Sequence, residues 1–170
     1  MNGRALLLAI PLILGGCGYH TRATGSGFPQ VKTLAVPAFV NQTQTYRVEQ
    51  ALTAAVVREL TTRTHYQVIN HPDSDADATL KGTVTSVQIA PITYDASTGR
   101  ASSSLVTVQM KVSLVDRKGK VLFENPNYVY RDEYQISSQL SSFFEEESPT
   151  LDRIARDFSR SVVANILEGY

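Results

Sequence analysis

Apolar and polar positions recur along this chain with two different periods, and the switches between them lay out the elements. Val31, Leu34 and Val36 mark a first strand that ends near Pro37 to Val40. Asn41 to Thr45 is a polar connection rich in residue types that cap helices. Val48, Leu52, Val56 and Leu60 then recur every four residues, with Ala51 and Ala55 beside them, which predicts a helix over about Tyr46 to Thr62. Its single apolar stripe is expected to pack on a sheet. His65 to Ile69 reads as a second strand, closed by Asn70-His71-Pro72-Asp73. Leu80, Gly82 and Val84 share one parity, and Val87 and Ile89 take the other. That switch predicts a bulge or bend near Thr85-Ser86.

Asp95 to Arg100 is turn-rich. Val106, Val108, Met110, Val112 and Leu114 then alternate with Thr107, Gln109, Lys111 and Ser113, the pattern of a long half-buried antiparallel strand. Asp116 to Lys120 turns the chain back, and Val121 to Phe123 opens the next strand. After Asn125-Pro126-Asn127, a further run sets Tyr128, Tyr130 and Tyr134 on one face, where a rim packed under a helix is the expected use. Ser148 as cap and Pro149 at the first helical position, with Glu145 to Glu147 ahead of them, signal a second helix. Leu151, Ile154, Ala155, Phe158, Val162, Ile166 and Leu167 form its stripe. The order of elements predicts an α+β fold, with two helices on one face of a mixed, mostly antiparallel sheet of about four or five strands.

Ahead of this body lies a different kind of segment. Arg4 precedes the apolar run Ala5 to Leu14, and Gly15-Gly16-Cys17 follows. A basic start, a greasy middle and small residues at the cut form a secretory signal. The run is about ten residues long and contains Pro11, whereas about 20 apolar residues are needed to span a bilayer. Leu14-Gly15-Gly16-Cys17 resembles a bacterial lipobox, which implies cleavage between Gly16 and Cys17 and acylation of Cys17. Two acyl chains hold a protein on a membrane stably where one holds it marginally. The expected plan is a signal peptide over residues 1–16, a lipidated tether over 17–30 and one domain over 31–170.

Composition narrows the function. Loss of Arg4 with the signal leaves one basic residue fewer than the 16 acidic ones, which argues against general nucleic-acid binding. Cys17 is the only cysteine, so no intrachain disulfide is available. His20, His65 and His71 are scattered and offer no metal-ligand spacing. Asp73-Ser74-Asp75-Ala76-Asp77 begins like a calcium loop, but Ala78 and Val84 stand where Gly and Glu are needed, which leaves a solvated turn. Gly25-Ser26-Gly27 is half of a nucleophile elbow, and Ser102 to Ser104 has no base nearby in sequence. No cofactor, metal or catalytic residue is expected. The residues left to carry chemistry are Arg100, Lys111, Arg117, Lys118 and Lys120, a set able to hold phosphates. Arg131 joins them if its strand pairs with that of Lys111. The same residues also suit ordinary solvated turns that guard sheet edges.

The whole pattern resembles the lipopolysaccharide-assembly lipoprotein family, the small partner of the outer-membrane lipopolysaccharide translocon. The matching features are Gly16 to His20, Val36-Pro37-Ala38-Phe39, the helix carrying Glu49, Leu52 and Val57 to Leu60, Ala76 to Gly82, and Thr93-Tyr94 through Gly99-Arg100-Ala101 into the long strand. The resemblance implies a non-catalytic lipoprotein of the outer membrane. It would plug and help assemble a large β-barrel and bind lipopolysaccharide through basic strand-end loops and residues near the last helix. Arg100 matches that loop approximately, while Glu145 to Glu147 makes the approach to the last helix acidic. Val36 to Phe39 and Ala78 to Val84 also resemble secreted lipoproteins that activate peptidoglycan synthases or form curli-type secretion assemblies, the alternative reading.

Overall fold

The computed structural model describes residues 27–135 and 149–168. The signal, the lipobox, most of the tether, the stretch from Ile136 through Glu145–Glu147 and the Ser148 cap lie outside them. Eight elements follow in order: β1 (Thr33–Ala35), β2 (Val40–Asn41), α1 (Val48–Arg63), β3 (Gln67–Ile69), β4 (Ala78–Tyr94), β5 (Ala101–Asp116), β6 (Val121–Gln135) and α2 (Pro149–Glu168). They build the expected α+β plan, with a sheet of six strands rather than four or five. The extra strand arises because Pro37 cannot donate to a ladder. The first strand therefore divides into β1 and β2, both laid parallel against β4. The sheet order is β3-β1-β4-β5-β6, and β3, β1 and β4 run parallel while β4, β5 and β6 are antiparallel.

The register keeps the apolar parity on one face. Leu80 pairs with Leu114 and Val84 with Met110; after a shift between Val84 and Ser86, Val87 pairs with Val108 and Ile89 with Val106. The bulge thus returns both apolar sets to the helix side. Tyr128, Tyr130 and Tyr134 extend that side onto β6 and are buried under α2. Phe158 is fully buried and stands edge-on to Tyr128 and Tyr130, with ring centroids 5.8 Å away in each case. Instead of two runs broken at Asn125 to Asn127, β6 is one strand, with the irregularity absorbed between Met110 and Val112 of β5.

The helices bury most of the predicted stripes, Val48, Leu52, Ala55, Val56 and Leu60 on α1, and Ile154, Ala155, Phe158, Val162 and Ile166 on α2; Val163 joins the second, while Ala51, Leu151 and Leu167 are half-buried. Thr53 is buried as well, since its hydroxyl donates to the Glu49 carbonyl and accepts from the Phe39 amide at 3.0 Å. α1 starts two residues later than its pattern suggests and has no side-chain cap. Asn41 is occupied instead in closing the loop, donating to the Thr45 carbonyl and to Glu49, both at 2.8 Å. Phe28 is 1% exposed, so that residue of the expected tether belongs to the packed body.

Asp73 to Asp77 does more than turn. One Asp77 oxygen accepts the Lys32 and Thr33 amides at 2.9 and 3.0 Å, and the other faces Arg117 at 3.3 Å. Those contacts, the Thr33 amide foremost, hold the Asp77 carboxyl below the ordinary carboxylate range. A depressed folded-state value means a contribution present at neutral pH and lost as pH falls through that value. Asp77→Asn is therefore expected to flatten the acid limb of a stability–pH curve measured by urea unfolding from pH 5 to pH 2. Phe158→Ala is expected to cost about 3–5 kcal/mol at neutral pH.

Candidate functional site

β5 joins two ends of the molecule that sequence alone does not separate. At about 3.4 Å per residue its 16 residues span roughly 50 Å. Arg100 precedes its first residue, whereas Arg117, Lys118 and Lys120 follow its last. The five candidate cations therefore do not converge. Lys111 sits between the two ends, opposite Thr83, on the face away from the helices. Arg131, opposite Thr107, shares that face.

The two turns use the same device for different outcomes. In the 95–100 turn, Asp95 accepts the Ser97 and Thr98 amides at 2.9 and 2.8 Å and both hydroxyls, while Gly99 supplies a φ of 66°. Those donors, the Ser97 hydroxyl first, hold the Asp95 carboxyl down at about 2. The loop is thus ordered by its own side chains, and Arg100 is exposed at its end. In the 116–120 turn, Asp116 accepts the Lys118 and Lys120 amides at 2.8 Å, and Gly119 has a φ of 83°. Arg117 is consumed there. It pairs with Asp77 and donates to the Asp75 and Ala76 carbonyls, fastening the turn to the chain before β4. Lys118 and Lys120 remain exposed.

At the Arg100 end the structure adds residues that the strand pattern hides. Tyr134 lies near the end of β6 and opposite Ser104, close to the start of β5. The Arg153 guanidinium lies 4.8 Å from the centroid of its ring. That contact sets the first turns of α2 at this end, with exposed Arg156 and Arg160 following Arg153 along the helix. The spacing i, i+3, i+7 places all three on one helical face, and that spacing was legible in the sequence. Arg160 pairs with Asp157 at 3.6 Å. Tyr94 and Ile92, 63% and 45% exposed, supply apolar surface on the neighbouring strand. Arg100 beside exposed Tyr94 suits a ligand with anionic and greasy parts.

The buried hydroxyls nearby are structural. Tyr130 and Tyr134 lie 2.8 Å apart, Tyr130 reaches Asp132 at 3.1 Å and Tyr134 reaches Asp157 at 3.5 Å. Burial raises both hydroxyls above the ordinary tyrosine range, so they act as neutral hydrogen-bonding groups. On the sheet face away from the helices, a groove of about 570 Å³ lies between Pro37–Val40 and Pro72–Ser74, with Lys81 and Asp73 as its charged walls. No cluster of three or more His, Cys, Asp or Glu residues able to hold a metal occurs among the described residues. Among the same residues no helix is long and apolar enough to cross a membrane.

Asp95→Ala removes the acceptor that orders the 95–100 turn, and amide exchange at Ser97 and Thr98 is expected to quicken by about tenfold or more. The melting temperature should stay within about 2 °C, because no core contact is lost.

Known proteins share this geometry. A family model described as lipopolysaccharide-assembly matches residues 31–166. No curated protein sequence matches. Among solved structures, the hypothetical protein CT253 from Chlamydia trachomatis superposes with a TM-score of 0.55 at 9% identity, covering 81% of this chain and 96% of that one. A PelC dodecamer from Paraburkholderia phytofirmans gives 0.52 at 14% identity, covering 83% and 91%. Protein XCC0632 from Xanthomonas campestris gives 0.52 at 12% identity, covering 84% and 90%. At these identities the likeness is one of fold.

Proposed function

Because the chain belongs to the lipopolysaccharide-assembly family, we propose that it is the lipid-anchored, non-catalytic small partner of an outer-membrane lipopolysaccharide translocon. The observation that carries this reading is the extent of the family match, which runs from the first core strand into the last turns of α2. In this reading residues 1–16 are removed, Cys17 carries the acyl chains and residues 17–30 lead to the body. The body seats as a plug in a large β-barrel, helps that barrel assemble and binds lipopolysaccharide as it passes to the outer leaflet. A barrel lumen is polar. The sheet face turned away from the helices suits such a wall, since Lys81, Thr83, Lys111, Ser113, Arg131 and Glu133 all lie on it.

The anionic headgroup region of lipopolysaccharide would meet the Arg100 end, where Arg153 lies over Tyr134 and exposed Tyr94 offers apolar contact. Lys118 and Lys120 form a separate basic tip, and Lys111 lies between.

Tagged protein purified from detergent-solubilised outer membranes is expected to bring down a large β-barrel. Recovery of a peptidoglycan synthase or of a homo-oligomeric ring in its place would overturn the reading in favour of the alternative. Cys17→Ser is expected to leave a folded body that no longer sediments with membranes; retained sedimentation would remove the lipid anchor. Arg100→Glu is expected to weaken lipopolysaccharide binding by about tenfold, the scale of one charged hydrogen bond. Lys118→Glu with Lys120→Glu should change it by less than about twofold. The reverse order would move the contact to the opposite end.

A further inference from the structure

Among the described residues the sheet has two long open edges, and they are built differently. On β6, among the described residues, only β5 pairs, and the strand carries Glu124, Pro126, Arg131, Asp132 and Glu133. Charges and proline are how natural sheets stop an edge from recruiting another strand. β4 has the opposite character. β1 and β2 cover its outer edge at Ala78, Thr79, Thr83 and Val84. Beyond Val84, residues Ser86 to Pro91 pair with β5 alone among the described residues. From Gly82 to Tyr94 the sequence contains no Asp, Glu, Lys, Arg or His.

The uncovered stretch has definite ends. At one end β2 already occupies the edge, and the Gln42 amide donates to the Val84 carbonyl at 2.9 Å. At the other, Pro91 lacks an amide hydrogen, and the register shifts between Pro91 and Thr93 and again between Thr93 and Tyr94. Thr85 to Ala90 lies between, roughly 20 Å of edge at ~3.4 Å per residue and the length of an ordinary strand. On one face of it stand half-buried Val87 and Ile89, and on the other exposed Gln88 and Ala90.

We propose that Thr85–Ala90 is a docking edge that accepts one short extended segment of a partner polypeptide, laid in line with β2. Main-chain hydrogen bonds would give the affinity, and the side-chain alternation the choice of sequence. The segment should be uncharged, with apolar residues on the side of Val87 and Ile89 and small polar ones beside Gln88. A second copy of this chain does not fit the slot. An antiparallel copy using the same edge would drive its own continuation through Ile92 to Arg100 into the row held by β2. The proposal rests on the translocon reading only for which polypeptide supplies the segment.

The test places a photo-crosslinking amino acid at Gln88 or Ala90 of the full lipidated chain in cells, with Asn127 and Asp132 on β6 as controls. Cross-links from Gln88 and Ala90 to one uncharged segment of a polypeptide, absent from both controls, are expected. In the purified complex, the Val87 and Ile89 amides should exchange at least tenfold more slowly than in the free protein. Gln88→Lys with Ala90→Lys, which guards the edge without touching the core, should reduce recovery of the complex at least tenfold at unchanged melting temperature. Cross-linking no stronger than the controls, cross-linking to lipid or to a second copy, or unchanged amide exchange in the complex would overturn the docking edge. A barrel recovered while positions 88 and 90 stay silent sinks this proposal and leaves the translocon reading. A segment captured from a polypeptide that is not a barrel does the reverse.

Discussion

Phe158 ties the helical layer to the sheet, and much else depends on that contact. Its ring fills the angle between Tyr128 and Tyr130. Burying an aromatic side chain of this kind stabilises by about 1.5–3 kcal/mol before entropy is charged against it. Around it α2 is held by polar contacts at both ends of the tyrosine row: Tyr128 donates to Ser161 at 2.7 Å, and Arg153 covers Tyr134. The direction of α2 along β6 is thereby set. With it comes the placement of Arg153 over Tyr134, the β6 residue opposite Ser104 near the start of β5. A packing constraint in the core thus decides which charges share an end of the molecule.

The same constraint explains why the sheet is uneven. α1 and α2 pack on each other and together cover one face of the core. β1 and β3 are three residues each, whereas β4, β5 and β6 run for 15 to 17. The long antiparallel strands therefore continue past the short parallel ones. Past that point α2 still covers β5 and β6, and only the far end of the hairpin relies on local means: hydroxyl contacts from Thr93 to Ser102 and Ser103, and the Asp95 turn. The exposed residues that suit a ligand gather where the core ends.

Much of this was legible in the sequence because burial writes a period. Both helical stripes, the long β5 alternation, the parity switch at Thr85-Ser86 and the tyrosine row under a helix all follow from which residues avoid water. What periodicity does not carry is distance along a folded strand. Arg100 and Lys118 look like neighbours in a list of hairpin turns, yet an antiparallel strand puts consecutive turns at opposite ends. Nor does it separate a free cation from an engaged one. Arg117 reads like Lys118 until the return of the chain brings Asp77 beside it. The arginines of α2 were legible as a face, but only the Tyr134 contact says which end that face serves.

The division of the first strand at Pro37 has consequences of its own. Because β1 and β2 are short pieces, they cover the β4 edge in patches, at 78–79 and again at 83–84. An unbroken first strand could have run on and closed that edge. At the interruption, Phe39 turns inward over Gly82, where any Cβ would lie 2.7 Å from its ring. Glycine there is a packing requirement: the ring needs the space, and the backbone of β4 must pass directly beneath it. With Phe39 anchored inward and β2 ending at Asn41, the chain leaves the sheet to begin α1. Among the described residues the outer half of β4 pairs with β5 alone, because the chain after β2 goes to build the helix layer. An uncharged edge left in this way is costly to keep soluble, and the charged β6 edge shows that the same sheet can be guarded. The contrast between the two edges lies in side-chain chemistry as well as topology, and it marks β4 as the edge built to be covered.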